Sequence, residues 1–303
     1  MAAVSDAVAE PHAAQLDDRE QSVVEDRLAP RAAILFETIR IEGAEELERP
    51  AAALAFSGFA AGLSMGFTLV AIALLRVAVP ADAPWRGLFE NLGYPVGFLI
   101  VILGRQQLFT ENTVTAILPL LDSANRLQTL GKVARLWGIV LATNLAGAAL
   151  FAYAVVRTPV FAEPVRTAFL EIGRDASGGT FATILLRGIF AGWLIALLVW
   201  VLPGAPDSRF PVITIISYVV GAAGLSHIIA GSIEVMTTVA AGERTWSEYA
   251  TGFLVPVFIG NAVGGIGLVS LLNYGQVATE RPQPESVPVP GNSGKTRKTA
   301  RRR

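Results

Sequence analysis

The chain has 303 residues, of which 52% are hydrophobic and 16% charged, with a mean hydropathy of +0.52. Soluble globular chains carry about 25% charged residues, so this composition is that of an integral membrane protein. The formal net charge of −1 gives no basis for nucleic-acid binding, zero cysteines excludes disulfide and thiolate chemistry, and the two histidines, His12 and His227, are too far apart to suggest a metal cluster. No metal and no cofactor is expected.

Residues 1–30 are polar and acid-rich, without the cationic start and apolar core of a secretion signal, which predicts a cytoplasmic tail. Within Arg31–Glu48, Ile34, Leu35, Phe36, Ile39 and Ile41 alternate with charges, so residues 1–48 close with an amphipathic helix, either interfacial or packed beneath the protein. Residues 49–275 form the membrane region. A crossing needs roughly 20 apolar residues, and six blocks qualify: Ala51–Val79, Leu92–Leu121, Val133–Val156, Phe181–Leu202, Val212–Val239 and Tyr249–Asn273. Trp85, Trp200 and Trp246 fall near span ends, where indole rings anchor at the interface. Residues 276–303 turn proline-rich and then basic, which predicts a disordered cytoplasmic tail suited to anionic lipid.

Cation placement sets the orientation. With both termini cytoplasmic, sixteen Lys and Arg residues fall inside and seven outside, leaving Arg105 within a span. This matches a bacterial inner membrane with both ends in the cytoplasm.

The second and fifth blocks are longer than one crossing requires and polar at the middle. One holds Arg105, Gln106, Gln107, Thr110, Glu111, Asn112 and Thr113; the other holds Ser226, His227, Ser232 and Glu234. Unwound backbone at membrane depth is tolerated only where protein buries it or a wet cavity receives it. Two interrupted spans at matching places therefore point to a transporter or channel of two repeats. The flanking spans agree: Gly58–Gly62 and Gly188–Gly192 both read GxxAG, and Asn144–Gly147 and Asn261–Gly264 both read NxxG. Three spans per half is odd, so the halves 51–157 and 181–273 are expected to be inverted.

LFTEN at 108–112, GLSHIIAG at 224–231 and FLVPVFIGNAVGG at 253–265, in that order, resemble the formate/nitrite transporter family. The resemblance implies an all-α integral membrane fold of six transmembrane helices, an aquaporin-like inverted 3+3 repeat with two interrupted helices. It further implies a homopentamer with one pore per protomer that passes small monovalent anions or their conjugate acids. Leu108, Phe109 and Thr110 fall on the family's Leu-Phe-Thr loop, whose phenylalanine narrows the pore and whose threonine faces a central histidine; His227 falls on that histidine. Asn261, Gly264 and Gly265 fall on the packing motif of the last span. The chain departs from the family at Glu111, where Gly or Ser is usual, at Leu225-Ser226 in place of Phe-Glu, and at Gly192 and Gly231 in place of Asn. A lysine usual before the fourth span is replaced near Ala176. These departures imply a divergent subgroup.

The substrate pathway is thus expected at His227, Thr110, Phe109, Leu108 and Asn112. An ionisable group at membrane depth is costly and marks function, so Glu111, Glu234 and Arg105 are candidates for a proton relay or a charge pair, Arg105 being a candidate partner for either carboxylate. A histidine at the narrow zone replaces lost hydration by donating N–H to an anion, or passes a proton to it. No catalytic motif is present, so the chain is not expected to be an enzyme. The alternatives are a neutral-solute or water channel, and a non-conducting membrane scaffold or sensor.

Overall fold

The structure, a computed structural model, describes residues 30–280 together with Asp17 and Arg19. The rest of the acidic tail, with His12, and the basic end from residue 281 lie outside the described residues. Among the described residues the chain is all-helical.

Helix α1 (Ala32–Glu48) lies against the bundle: Phe36 and Ile39 are buried in a cluster with Val114, Leu118, Trp200 and Val269. Ile34 and Ile41 remain exposed on its other side. Of the two settings open to this segment, the packed one is found. Trp200 is consequently a core residue of this cluster and not an interfacial anchor, whereas Trp85 and Trp246 are exposed.

Five helices are long and apolar enough to cross a membrane: α2 (Ala51–Ala78), α3 (Arg86–Leu103), α5 (Arg126–Arg157), α7 (Phe181–Gly204) and α10 (Trp246–Thr279). The expected second block is split into α3 and a short α4 (Asn112–Leu121). The expected fifth block is two 14-residue helices, α8 (Arg209–Ala222) and α9 (Ile228–Ala241), each too short to span alone. Between α5 and α7 stands α6 (Glu163–Ala176), an unexpected helix that buries Val165, Ala168, Phe169 and Ile172. Helix α10 runs to Thr279, so residues 276–279, expected in the disordered tail, are helical; the rest of that expectation lies outside the described residues.

Both breaks use the same turn. Gln106 N–H donates to Val101 O at 2.9 Å and Leu225 N–H donates to Val220 O at 3.0 Å, each spanning a residue in the left-handed region. That residue is Gly224 at φ 61° in one break and Arg105 at φ 51° in the other. Such caps favour glycine because a Cβ is strained there, so the Arg105 turn is the costlier of the two.

Glycine permits the long helices to touch backbone to backbone. A methyl group on Gly62 of α2 would strike the Asn144 backbone of α5, and one on Gly192 of α7 would strike the Asn261 backbone of α10. The two asparagines thus sit where helices approach most closely. Asn144 Nδ2 donates to Gly58 O at 2.7 Å and Gln107 O at 2.9 Å, and its Oδ1 accepts from Phe109 N at 3.0 Å. Asn261 Nδ2 donates to Gly188 O at 2.8 Å and Ser226 O at 2.9 Å, and its Oδ1 accepts from Ile228 N at 2.9 Å. Each asparagine ties one broken strand of backbone to a long helix, satisfying groups that the break leaves without helical partners. Helix α10 is widened by π-helical turns at Ala250–Leu254 and Val263–Leu271, on either side of the stretch that carries Asn261.

Candidate functional site

The two breaks meet at one contact. His227 is the N-cap residue of α9, and its Nδ1 accepts from Ile229 N at 3.3 Å and Ala230 N at 3.2 Å, filling donors that a helix start otherwise leaves open. With Nδ1 accepting, the neutral ring carries its hydrogen on Nε2. Nε2 stands 2.8 Å from Thr110 Oγ1 in the facing break, so the ring donates and the threonine accepts. The Thr110 hydroxyl hydrogen is then free for another acceptor. Both residues are buried, as are Leu108 and Phe109.

Aromatic rings hold the contact in place. Phe98 meets the His227 ring edge-on at 5.0 Å and is stacked by Tyr94 at 5.6 Å. Across the break, the Phe109 ring lies between Trp137 at 5.3 Å and Phe258 at 5.5 Å. Trp137 Nε1 donates to Asn112 O at 3.1 Å, and Asn112 Nδ2 donates to Gln107 Oε1 at 3.1 Å. Tyr94, Phe98, Trp137 and Phe258 were not singled out from sequence, where each reads as an ordinary apolar position of a span.

Two cavities flank the contact. One, of about 220 Å³, is bordered by Tyr94, Arg187, Ser226 and Glu234; the other, of about 370 Å³, by Gln107, Glu111, Asn112 and Arg49. Helix α7 borders the first near its start, at Arg187, and the second near its end, at Val199 and Leu202, so the cavities lie at opposite ends of the bundle. Ser226 of the first precedes His227 in sequence, and Gln107 and Asn112 of the second bracket Thr110.

The three charged candidates separate. Arg105 is exposed and pairs with Glu42 of α1 at 3.3 Å, not with Glu111 or Glu234. The expected Arg105 charge pair is therefore replaced by a surface one, because the left-handed turn carries its side chain outward. Glu111 borders the larger cavity and has one carboxyl oxygen buried without a partner. Glu234 borders the smaller cavity, where Arg76 is engaged elsewhere: it is bidentate to Glu90 at 2.7 and 2.9 Å and bonds Asp175 at 3.0 Å. Outside the membrane-spanning helices, the Arg174 guanidinium hydrogen-bonds Glu243 and holds its carboxyl below the usual range. Among the described residues there is no group of three or more His, Cys, Asp or Glu able to hold a metal.

A buried polar contact between two opposed cavities, held by two interrupted spans in an apolar helical bundle, defines a membrane protein of the channel and transporter class. A sequence model of the family described as Formate/nitrite transporter matches residues 33–275, and the chain belongs to that family, one of transporters and channels and not of enzymes. It is 41% identical over 256 residues to Inner membrane protein YfdC of Escherichia coli (strain K12), covering 84% of this chain and 82% of the relative. It is 29% identical to Formate channel BtFdhC of Bacillus thuringiensis, covering 77% of this chain and 90% of that one. The fold is that of a solved pentameric formate channel with formate bound, at a TM-score of 0.66 and 20% identity over 76% of this chain and 98% of the other. A solved FNT family ion channel is similar at a TM-score of 0.68 and 17% identity, over 80% of this chain and 98% of the other.

Proposed function

We propose that the chain passes a small monovalent anion of the formate or nitrite type, or its conjugate weak acid, between the two cavities by way of the Thr110–His227 contact. The observation that carries this reading is the 2.8 Å contact itself, fully buried and standing between cavities at opposite ends of the bundle. An anion leaving water needs donors in its place; the free Thr110 hydroxyl hydrogen is one, and the His227 N–H becomes a second once the anion displaces the threonine oxygen that accepts from it. Leu108 and Phe109 form the facing constriction and Asn112 borders the path beyond it. Glu111 and Glu234, one at each cavity, are groups that exchange protons beside the path.

The six-span, inverted 3+3 arrangement belongs to the same proposal. The matching bonds of Asn144 and Asn261, and the matching turns at the breaks, support two halves built alike. By resemblance to the pentameric formate channel the protein is a homopentamer. The cation bias and the inner-membrane relative support an inner-membrane protein with both termini cytoplasmic, which makes the Glu111 cavity the inner one and the Glu234 cavity the outer one. A neutral-solute channel is favoured by one feature, the carboxylates Glu42, Glu45, Glu46 and Glu111 around the inner cavity, which repel anions.

The test is flux into proteoliposomes with formate, nitrite, acetate and water, comparing the parent with Thr110→Val. The reading expects anion or acid uptake that falls in the variant. Water passage without any anion flux would replace it with the neutral-solute channel, and no flux of any kind with the scaffold.

A further inference from the structure

Phe109 is held at both its backbone and its ring. Its N–H donates to Asn144 Oδ1 at 3.0 Å, which ties its backbone to α5. Its ring is fully buried, edge-on to Trp137 of α5 at 5.3 Å and tilted against Phe258 of α10 at 5.5 Å. Trp137 is fixed in turn: its Nε1 donates at 3.1 Å to Asn112 O, a carbonyl that also accepts from Ala116 N at 3.3 Å in the first turn of α4. The indole cannot turn away from Phe109 without giving up that bond. Protein interiors are close-packed, so a ring placed in this way moves only as far as its neighbours yield.

The second break is built without such a clamp. The matching bonds of Asn144 and Asn261 make the two asparagines equivalent, and the residue whose N–H bonds Asn261, as Phe109 bonds Asn144, is Ile228. Counting back from the asparagines by the same number of residues, Trp137 falls on Leu254 and Phe258 falls on Leu141. At all three equivalent positions the fold thus holds an aliphatic residue. Packing around a break does not itself demand rings, so the aromatic set belongs to what the first break does.

We propose that Trp137 and Phe258 set the size of solute that passes: they hold Phe109 in one position across the zone between the cavities, which admits a formate-sized oxyanion or acid and excludes larger monocarboxylates. The inference rests on the transport reading above and adds to it the residues that make the path selective. Leu108, Phe109 and Thr110 are buried and border neither cavity, so a solute crosses this zone only by displacing a side chain. Thr110 and His227 offer hydrogen bonds there, whereas the Phe109 ring offers only bulk. Trp137 and Phe258 act through that ring and are positioning residues. With leucine in place of either, Phe109 gains room on that side and swings further, and the path widens while the donors at Thr110 and His227 stay in place.

The experiment is uptake of formate, acetate and lactate at pH 7 into proteoliposomes carrying the parent, Trp137→Leu, Phe258→Leu or Trp137→Phe. Uptake by protein-free vesicles is subtracted, and folding is checked by melting temperature. The parent is expected to favour formate over acetate and lactate. One carbon more in an apolar fit is worth about tenfold or more in discrimination, so the acetate-to-formate ratio rises about tenfold in each leucine variant, through faster acetate uptake. Trp137→Phe keeps a ring against Phe109 without the bond to Asn112 O, and its ratio stays closer to the parent's than that of Trp137→Leu. Should Trp137→Leu fail to fold, Phe258→Leu carries the test from the other side of the ring. A purely structural role lowers all three solutes in proportion, and that result overturns the proposal. So does a folded leucine variant that keeps the parent's ratio, or a parent that passes lactate as readily as formate. A parent that passes no formate removes the transport reading and this inference with it, whereas conduction with an unmoved ratio removes the inference alone.

Discussion

Replacing Asn261 by Ala tests how the breaks are held at membrane depth. The substitution removes two donated bonds and one accepted bond, at 2.8, 2.9 and 2.9 Å, and leaves Gly188 O, Ser226 O and Ile228 N without that partner. Gly188 lies inside α7 and keeps its helical role, but Ser226 O and Ile228 N lie in the break and at a helix start. Orphaned buried groups cost about 1–3 kcal/mol each, while interhelical bonds measured in membranes average about 0.6 kcal/mol. Three such bonds set a floor near 2 kcal/mol, and two orphans raise the expected loss to about 3 kcal/mol. At about 2–4 °C per kcal/mol for a chain of this size, the melting temperature in detergent falls by roughly 6–12 °C. Asn144→Ala, which breaks the matching set, falls by a similar amount, and Gly131→Ala, whose added methyl meets nothing within 4 Å, serves as the control. An Asn261→Ala protein that melts with the control would refute the assignment of these asparagines as the ties of the two breaks.

Three further outcomes follow from separate features. Arg105→Gly relieves a left-handed backbone and gives up only an exposed pair with Glu42, so the protein melts at the same temperature or slightly higher; a marked loss would show that the pair matters more than the strain. Arg76→Gln strips the bidentate partner from buried Glu90 and costs about 3 kcal/mol, measured by thermal unfolding, with Glu90→Gln in the same background recovering part of it. The Glu243 carboxyl titrates below its unfolded value because Arg174 hydrogen-bonds it, so the stabilisation from this pair is complete above the unfolded carboxylate range and is lost as pH falls through the lowered value. The protection of the Gly242 and Glu243 amides against hydrogen exchange, taken relative to the intrinsic rate at each pH, should therefore fall at acid pH in the parent and be low at neutral pH already in Arg174→Ala.

Much of this arrangement is legible in the chain because membrane depth penalises polar atoms. Thr110, Glu111, Asn112, Ser226 and His227 stand out against apolar runs, and the helices do break around them. The GxxAG and NxxG pairs likewise announce close helix contacts, and those contacts are found at Gly62 and Asn144 and at Gly192 and Asn261. Other features depend on partners distant in sequence. The polarity of Arg105 suggested a buried partner, whereas its left-handed turn sends it to Glu42. Trp200 had the position of an interfacial ring but is covered by α1. The apolar spacing of Val165, Ala168, Phe169 and Ile172 is visible in hindsight, yet a 14-residue charged helix carries no membrane signature to separate it from a loop. The rings of Phe98, Trp137 and Phe258 are indistinguishable by hydropathy from those facing lipid, so the enclosure of His227 and Phe109 emerges only from the packed fold.

The most direct measurement of the central claim is formate uptake across a pH series in proteoliposomes carrying the parent or His227→Asn, with folding of both checked by their melting temperatures. The account predicts that the folded variant loses the parent's pH response and passes formate with altered rate, because asparagine exchanges no proton and its shorter amide does not reproduce the imidazole Nε2 held 2.8 Å from Thr110. A folded variant with the parent's rate and pH profile would contradict it and remove His227 from the path.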